Sequence, residues 1–198
     1  MNTPHSHAAA RTARLRLGGC LATLLAAATL AVSGCQGPAD SGTLADAQIY
    51  FDAGDYPSAL DNAERAARSD DPVLAESGAY IAGLSAARLD RPDLAAGYLA
   101  TAAGSDDLAL ASDASAELGL LERARGNHAA AARAFEQSAR GLTGDDRAQA
   151  LLYAAISQQR LGRWTQARTN LLAARAAVVD PALLEAIDNQ LPVTGYTL

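Results

Sequence analysis

Small and hydrophobic residues recur along most of the chain at the spacing of amphipathic helices. The clearest segment is 117–139, ELGLLERARGNHAAAARAFEQSA, in which the dipeptide Gly126-Asn127 separates two such helices. Apolar positions three and four apart lie on one face of a helix, and a glycine followed by a polar residue is typical of a helix end. The segment therefore predicts a pair of helices joined by a tight turn.

The same turn pattern occurs four times at a constant interval. Gly54-Asp55, Asp90-Arg91, Gly126-Asn127 and Gly162-Arg163 each follow the one before by 36 residues. A fixed period of this length is the signature of a helical solenoid, in which each repeat buries its apolar face against its neighbours. The pattern predicts an all-α protein of four helix pairs.

Aspartates mark where the predicted pairs begin. Asp71-Pro72, Asp106-Asp107 and Asp145-Asp146 precede three of the pairs, and an aspartate at this place is a favourable N-cap. Asp180-Pro181 repeats the pattern before a last helix, which we expect to cap the open end of the solenoid. The expected domain spans 43–190, with pairs at 43–69, 72–104, 107–140 and 146–178, a capping helix at 181–190 and a tail at 191–198.

The first 34 residues have a different pattern. Residues 1–16 contain arginines and no acidic residue, and the next 17 residues, 17–33, are uncharged and rich in leucine and alanine. This combination predicts the n-region and h-region of an export signal. The alternative is an uncleaved membrane anchor, since the run is only slightly shorter than a membrane span. Both interpretations place the remainder outside the cytoplasm, because the arginines stay inside.

The end of this signal, LAVSGC at 30–35, resembles the bacterial lipobox, in which an aliphatic residue and two small residues precede an invariant cysteine. The resemblance implies that residues 1–34 are a lipoprotein signal peptide and that the Cys35 thiol carries a diacylglycerol. Residues 35–42 would then be the lipidated cysteine and a short tether. Gln36, where aspartate is the inner-membrane retention signal, favours the outer membrane, with the domain facing the periplasm.

The charge of the chain bears on its partner. The sequence has 22 acidic and 16 basic residues, for a net charge of −6, and removal of 1–34 with its three arginines makes the charge −9. An acidic domain repels phosphate backbones, so we expect no nucleic acid partner.

Small residues occupy three fixed places in every predicted pair: one in the middle of the first helix, one early in the second helix and one near its end. This arrangement resembles the tetratricopeptide repeat, and the resemblance covers about 40–178. It implies a right-handed α-α superhelix that binds a protein or peptide segment on a wall built from its first helices. Glu122 and Gln158 depart from the family, because they occupy positions that are usually aromatic and buried. The small positions are Ala47, Ala59, Ala66, Gly83, Ala95, Ala102, Gly119, Ala131, Ser138, Ala155, Ala167 and Ala174.

The resemblance also indicates which residues line this first-helix wall. Arg88, Arg123 and Arg160 fall near the ends of three successive first helices, and we expect them to form a ladder along one rim. Arginines at helix ends stabilise the helix dipole; they also suit an acidic or carboxylate-bearing segment of a partner. The predicted wall consists of Gln48, Phe51, Asp52, Tyr80, Leu84, Arg88, Asp113, Leu120, Arg123, Gln149, Leu152, Ile156, Gln159 and Arg160.

No motif indicates catalysis, a metal site or a cofactor. His128 shares a turn position with Tyr56, Pro92 and Trp164, each 36 residues apart, which favours packing over chemistry. The aspartate doublets lack the spacing of a calcium-binding loop. We therefore expect a non-enzymatic, lipid-anchored adaptor or scaffold in an extracytoplasmic envelope complex. The alternative is an envelope lipoprotein that binds a glycan or small ligand.

Overall fold

The computed structural model describes residues 39–191, and within this part the chain consists of nine α-helices without a β-strand. The export signal, Cys35 and residues 192–198 lie outside the described residues. The helices are α1 (Ala39–Asp52), α2 (Tyr56–Ala66), α3 (Pro72–Arg88), α4 (Pro92–Ala102), α5 (Leu108–Ala124), α6 (His128–Ser138), α7 (Gly144–Arg160), α8 (Trp164–Ala177) and α9 (Pro181–Gln190).

Consecutive helices pack against each other throughout this part of the chain. The pairs are α1 with α2, α3 with α4, α5 with α6, and α7 with α8, and the second helix of each pair contacts the first helix of the next. Helix α1 also contacts α3, and α3 contacts α5, while α9 contacts both α7 and α8. The predicted all-α, solenoid-like succession of helix pairs is therefore confirmed.

The four repeated turns have one backbone conformation. Gly54, Asp90, Gly126 and Gly162 have positive φ angles of 79°, 56°, 78° and 70°. In each turn the next residue donates its N–H to the carbonyl oxygen five residues earlier, over 2.8–2.9 Å. This is the hydrogen bond of a Schellman motif, which ends a helix on a left-handed residue. Three of the four turns use glycine, the residue that adopts this conformation without strain.

The twelve small positions are all buried, as their repeat spacing predicts. Glycine is required at two of them by the proximity of the paired helix. A Cβ atom on Gly119 would lie 2.8 Å from the Phe135 ring, and one on Gly83 would lie 2.7 Å from Leu99 Cγ. Helices cross this closely only where a side chain is nearly absent, so these positions set the distance within each pair.

Two predicted boundaries differ from the structure. Helix α1 begins at Ala39, inside the segment 35–42 that we expected to be a tether. Helix α7 begins at Gly144, so Asp145 and Asp146 lie within its first turn instead of preceding it.

Asp145 has a different partner from the one expected of an N-cap. Its Oδ1 atom accepts hydrogen bonds from the backbone N–H groups of Val179, at 2.6 Å, and Asp180, at 3.0 Å. The other predicted caps behave as expected: Asp71, Asp107 and Asp180 each accept a hydrogen bond from the backbone two residues ahead at 2.9 Å. Asp145 thus fastens the start of α9 to the start of α7.

Candidate functional site

Most residues of the predicted first-helix wall are partly accessible. Tyr80 and Leu84 on α3, and Leu120 on α5, are half-buried apolar side chains of the kind that a partner can cover. Gln48 on α1 is also half-buried, and its Nε2 donates to Asp52 Oδ1 at 2.9 Å. These residues lie on the first helices of the first three pairs, where the repeat pattern predicts a partner-binding surface.

Three of the predicted wall residues on α7, namely Leu152, Ile156 and Gln159, contact other parts of the protein. Leu152 is only 6% exposed and belongs to the core formed with α8 and α9, against which Ile156 also packs. Gln159 Nε2 donates to the carbonyl oxygen of Gln190 at 3.4 Å. The expectation that Leu152 is available to a partner is therefore wrong, because this side chain is packed in the core that includes residues of α8 and α9.

The three arginines of the expected ladder have different surroundings. The Arg123 guanidinium lies over the Tyr153 ring, with Cζ 4.3 Å from its centroid, and is 6.0 Å from the Phe135 centroid. Arg88 is exposed and lies 5.9 Å from the Tyr56 centroid. Arg160 is exposed and makes no ring contact or ion pair with any residue in the range 39–191. Arg123 is therefore held by its own protein through cation–π contacts, whereas Arg88 and Arg160 are accessible to a partner.

Two carboxylates on α5 stand near Tyr80 on the same wall. Burial raises the pKa of Asp113, and the negative charges of Asp146 and Asp107 raise it further. Burial likewise raises the pKa of Glu117; Arg88 partly offsets this effect. The pKa of the Tyr80 hydroxyl is raised well above its ordinary value by burial and by both carboxylates.

The raised carboxyl pKa values have a definite consequence for stability. The folded protein holds these protons more tightly than the unfolded chain does, so the charged forms at neutral pH cost folding free energy. That cost disappears as the pH falls through the raised pKa values of Asp113 and Glu117. Partly desolvated carboxylates without an ion pair in the described part of the chain are thus a costly feature of this wall.

Glu117 was not among the predicted wall residues. It follows Asp113 by four residues in α5, and this spacing places both carboxylates on one helix face. The tetratricopeptide resemblance selects small and aromatic positions and therefore does not include Glu117. With Glu117 included, the wall combines apolar side chains, accessible arginine and two carboxylates.

The repeated turn position is the first residue of every second helix. Tyr56, Pro92, His128 and Trp164 begin α2, α4, α6 and α8, and all four are half-buried. The Nδ1 atom of His128 is buried without a hydrogen-bond partner. Residues 39–191 contain no group of three or more His, Cys, Asp or Glu side chains arranged to hold a metal ion. His128 is thus half-buried at the start of α6, and its packing role stays a prediction.

Comparison with known proteins adds no family assignment. No protein-family model matches the sequence. A search of curated proteins also finds no match. None of the helices in the described range is long and apolar enough to cross a membrane. The interpretation of function consequently depends on the repeat geometry and on the residues of the first-helix wall.

Proposed function

We propose that this protein is a lipid-anchored adaptor of the tetratricopeptide type, which binds another protein in an extracytoplasmic complex of the bacterial envelope. The main support for the proposal is the 36-residue period, which is found both in the sequence and in the backbone conformation of the turns. Four left-handed turn residues recur at this interval, and every small position of the repeat is buried. These features support a right-handed superhelix in which the first helices α1, α3 and α5 form a continuous wall that ends at Arg160 on α7.

The accessible side chains of the wall support protein binding. Tyr80, Leu84 and Leu120 supply apolar surface, and Arg88, Asp113 and Glu117 place both signs of charge beside it. Apolar contacts at the centre of an interface supply affinity, while charges orient the partner and exclude wrong ones. The partner segment that fits this wall has apolar side chains flanked by charged ones.

The aromatic residues favour this proposal over a glycan-binding one. A sugar platform needs aromatic faces that are free to stack. Here the Phe51 and Tyr56 rings contact each other, with centroids 5.5 Å apart, and Tyr153 lies beneath Arg123. These rings are already engaged within the protein, which leaves Tyr80 as the aromatic residue of the wall.

The membrane attachment in this proposal comes from Cys35. A diacylglycerol and an additional acyl chain bury enough methylene groups, at about 0.8 kcal/mol each, for stable anchoring. Helix α1 begins at Ala39, so three residues separate it from the cysteine. Even fully extended, such a linker reaches roughly 14 Å. The adaptor would therefore bind its partner close to the membrane surface.

Charge-neutralising variants of the full-length protein test the proposal. One carries Arg88→Gln and Arg160→Gln, and a second carries Asp113→Asn and Glu117→Gln. The matched control carries Arg133→Gln and Arg168→Gln, which are exposed on the second helices α6 and α8. Cross-linking in the intact envelope followed by quantitative mass spectrometry measures the partners captured by each variant.

We expect one or both wall variants to lose the captured partner roughly tenfold or more, whereas the control retains it. The variant that loses it identifies the sign of charge on the partner. If both wall variants capture the same partners as the control, the binding surface is not the first-helix wall. In the same strain, Cys35→Ser should abolish acyl labelling and leave a longer chain that retains its signal peptide. Continued labelling would refute the lipoprotein assignment but not the proposed binding surface.

A further inference from the structure

Helix α9 is attached to the rest of the fold by very few buried contacts. Ile187 is its only buried residue; it is completely buried and belongs to a core formed mainly by residues of α7 and α8. Leu183 on α9, and Leu191 just after it, pack against the same core but remain half-buried. Most of the remaining residues of α9 are exposed. The apolar attachment of this helix therefore consists of one fully buried side chain and two half-buried leucines.

The polar attachments of α9 are at its ends. At the start, Asp145 Oδ1 accepts the Val179 and Asp180 N–H groups, and this bonded carboxylate lies at the surface. The two hydrogen bonds lower the pKa of Asp145 and thereby favour its charged form. Further along, Arg175 Nε lies 2.8 Å from Asp188 Oδ1, but these side chains are 56% and 42% exposed. A salt bridge this accessible contributes little to stability.

The helices beneath α9 are held together independently of it. Ala155, Ala167, Leu171 and Ala174 are completely buried between α7 and α8, and α7 also packs on α6. Gln158 and Asn170 connect α7 and α8 through a hydrogen bond of 3.1 Å. The α7–α8 pair therefore retains most of its contacts when α9 is removed.

We propose that α9 is a detachable cap, which opens as a unit from α7 and α8 while the four helix pairs stay folded, and that the Asp145 carboxylate is its latch. Opening uncovers the apolar surface of α7 and α8 that surrounds Ile187. Segments with few buried contacts and exposed hydrogen bonds open at low free-energy cost.

Hydrogen exchange of the full-length protein, measured by mass spectrometry of peptides, tests this proposal. In the unmodified protein, we expect the amides of α9 to exchange roughly a hundredfold faster than those of α7. Asp145→Ala should accelerate α9 by about a further tenfold, because it removes two charge-assisted hydrogen bonds. Asp146→Ala is the matched control, since this neighbouring carboxylate makes no hydrogen bond to the α8–α9 junction. Exchange in α1 to α6 should be the same in all three proteins.

A second variant separates a cap from an integral helix. Ile187→Asp places a charge in the buried contact, so α9 should lose its protection completely while α7 and α8 keep theirs. The proposal is overturned if α9 and α7 exchange at the same rate in the unmodified protein. It is equally overturned if Ile187→Asp removes the protection of α7 and α8 together with that of α9.

Discussion

The second helix pair, α3–α4, and the fourth, α7–α8, follow the same repeat pattern. They differ in the side chains that fill one equivalent space between the helices. Ala86 in α3 corresponds to Gln158 in α7, and Tyr98 in α4 corresponds to Asn170 in α8, each 72 residues later. In the second pair a very small residue is combined with a large one. In the fourth, two polar side chains of intermediate size hydrogen-bond to each other at 3.1 Å.

Both arrangements depend on a glutamate in the preceding second helix. Burial and the nearby Glu64 carboxylate raise the pKa of the Tyr98 hydroxyl, and the Asn170 amide donates to Glu136 Oε1 at 3.0 Å. Gln158, which is 4% exposed, also donates to Glu136. This difference shows that both repeats have an equivalent space beside the glutamate carboxylate of the preceding second helix. The side chains that fill this space differ between the two repeats. A buried polar residue is tolerated because the neighbouring repeat supplies its hydrogen bonds.

Removing the shared acceptor should give the largest effect. Glu136→Ala leaves the buried Gln158 amide without its carboxylate partner, and we expect it to cost about 2–3 kcal/mol of unfolding free energy. Glu64→Ala is the matched change in the second pair and should cost about 1 kcal/mol, because the half-buried Tyr98 hydroxyl can bond to water. Urea unfolding followed by circular dichroism measures both values. Equal losses would show that the polar arrangement of the fourth pair has no special dependence on its acceptor.

Overpacking the contact between paired helices should cause a smaller loss of stability. Gly83 in the second pair corresponds to Ala155 in the fourth, and a Cβ atom on Gly83 would lie 2.7 Å from Leu99 Cγ. Gly83→Ala should therefore cost about 1–3 kcal/mol, as overpacking does. Gly97→Ala is the control, because a Cβ there meets nothing within 4 Å. It should raise stability by up to about 1 kcal/mol through helix propensity. If both substitutions stabilise the protein in denaturant unfolding, the second pair is not packed more closely than the fourth.

Substitutions at the turn residues should give the smallest change in stability. Asp90 adopts φ of 56° in the second pair, where the fourth has Gly162 at 70°. Asp90→Gly relieves the strain of a left-handed aspartate, so we expect a gain of less than about 1 kcal/mol. Gly162→Ala introduces that strain and should lose about 1 kcal/mol. Thermal unfolding temperatures measure both changes, and a loss of stability in Asp90→Gly would mean that the aspartate side chain contributes more than its backbone costs.

The features that the sequence could predict are those that depend on local spacing. The turn residues, the twelve small positions and the N-caps Asp71, Asp107 and Asp180 all follow from helix geometry within one repeat. They depend on residues close in the chain, and the turn pattern occurs four times at the 36-residue period. The helix pairs could therefore be placed within a few residues without a structure.

The features that escaped prediction depend on partners distant in sequence. Asp145 bonds to Val179 and Asp180, more than thirty residues away, and Arg123 lies on Tyr153 of the next pair. Leu152 is buried because α8 and α9 cover its face of α7. A period detects positions that recur, whereas these contacts occur at one place in the chain. The structure therefore corrects the expectation for Leu152 on α7, and the first-helix wall as a partner-binding surface stays a prediction.

The use of alanine at the helix contacts has a thermal consequence. Most of the twelve positions that set the helix spacing are alanine, so the helices meet through methyl groups and backbone. The heat-capacity increase on unfolding follows the apolar area exposed, and average proteins show about 12–15 cal/mol/K per residue. Since each alanine exposes less apolar area than a leucine would, we expect this protein to lie at the low end of that range. Its stability should then vary unusually little with temperature.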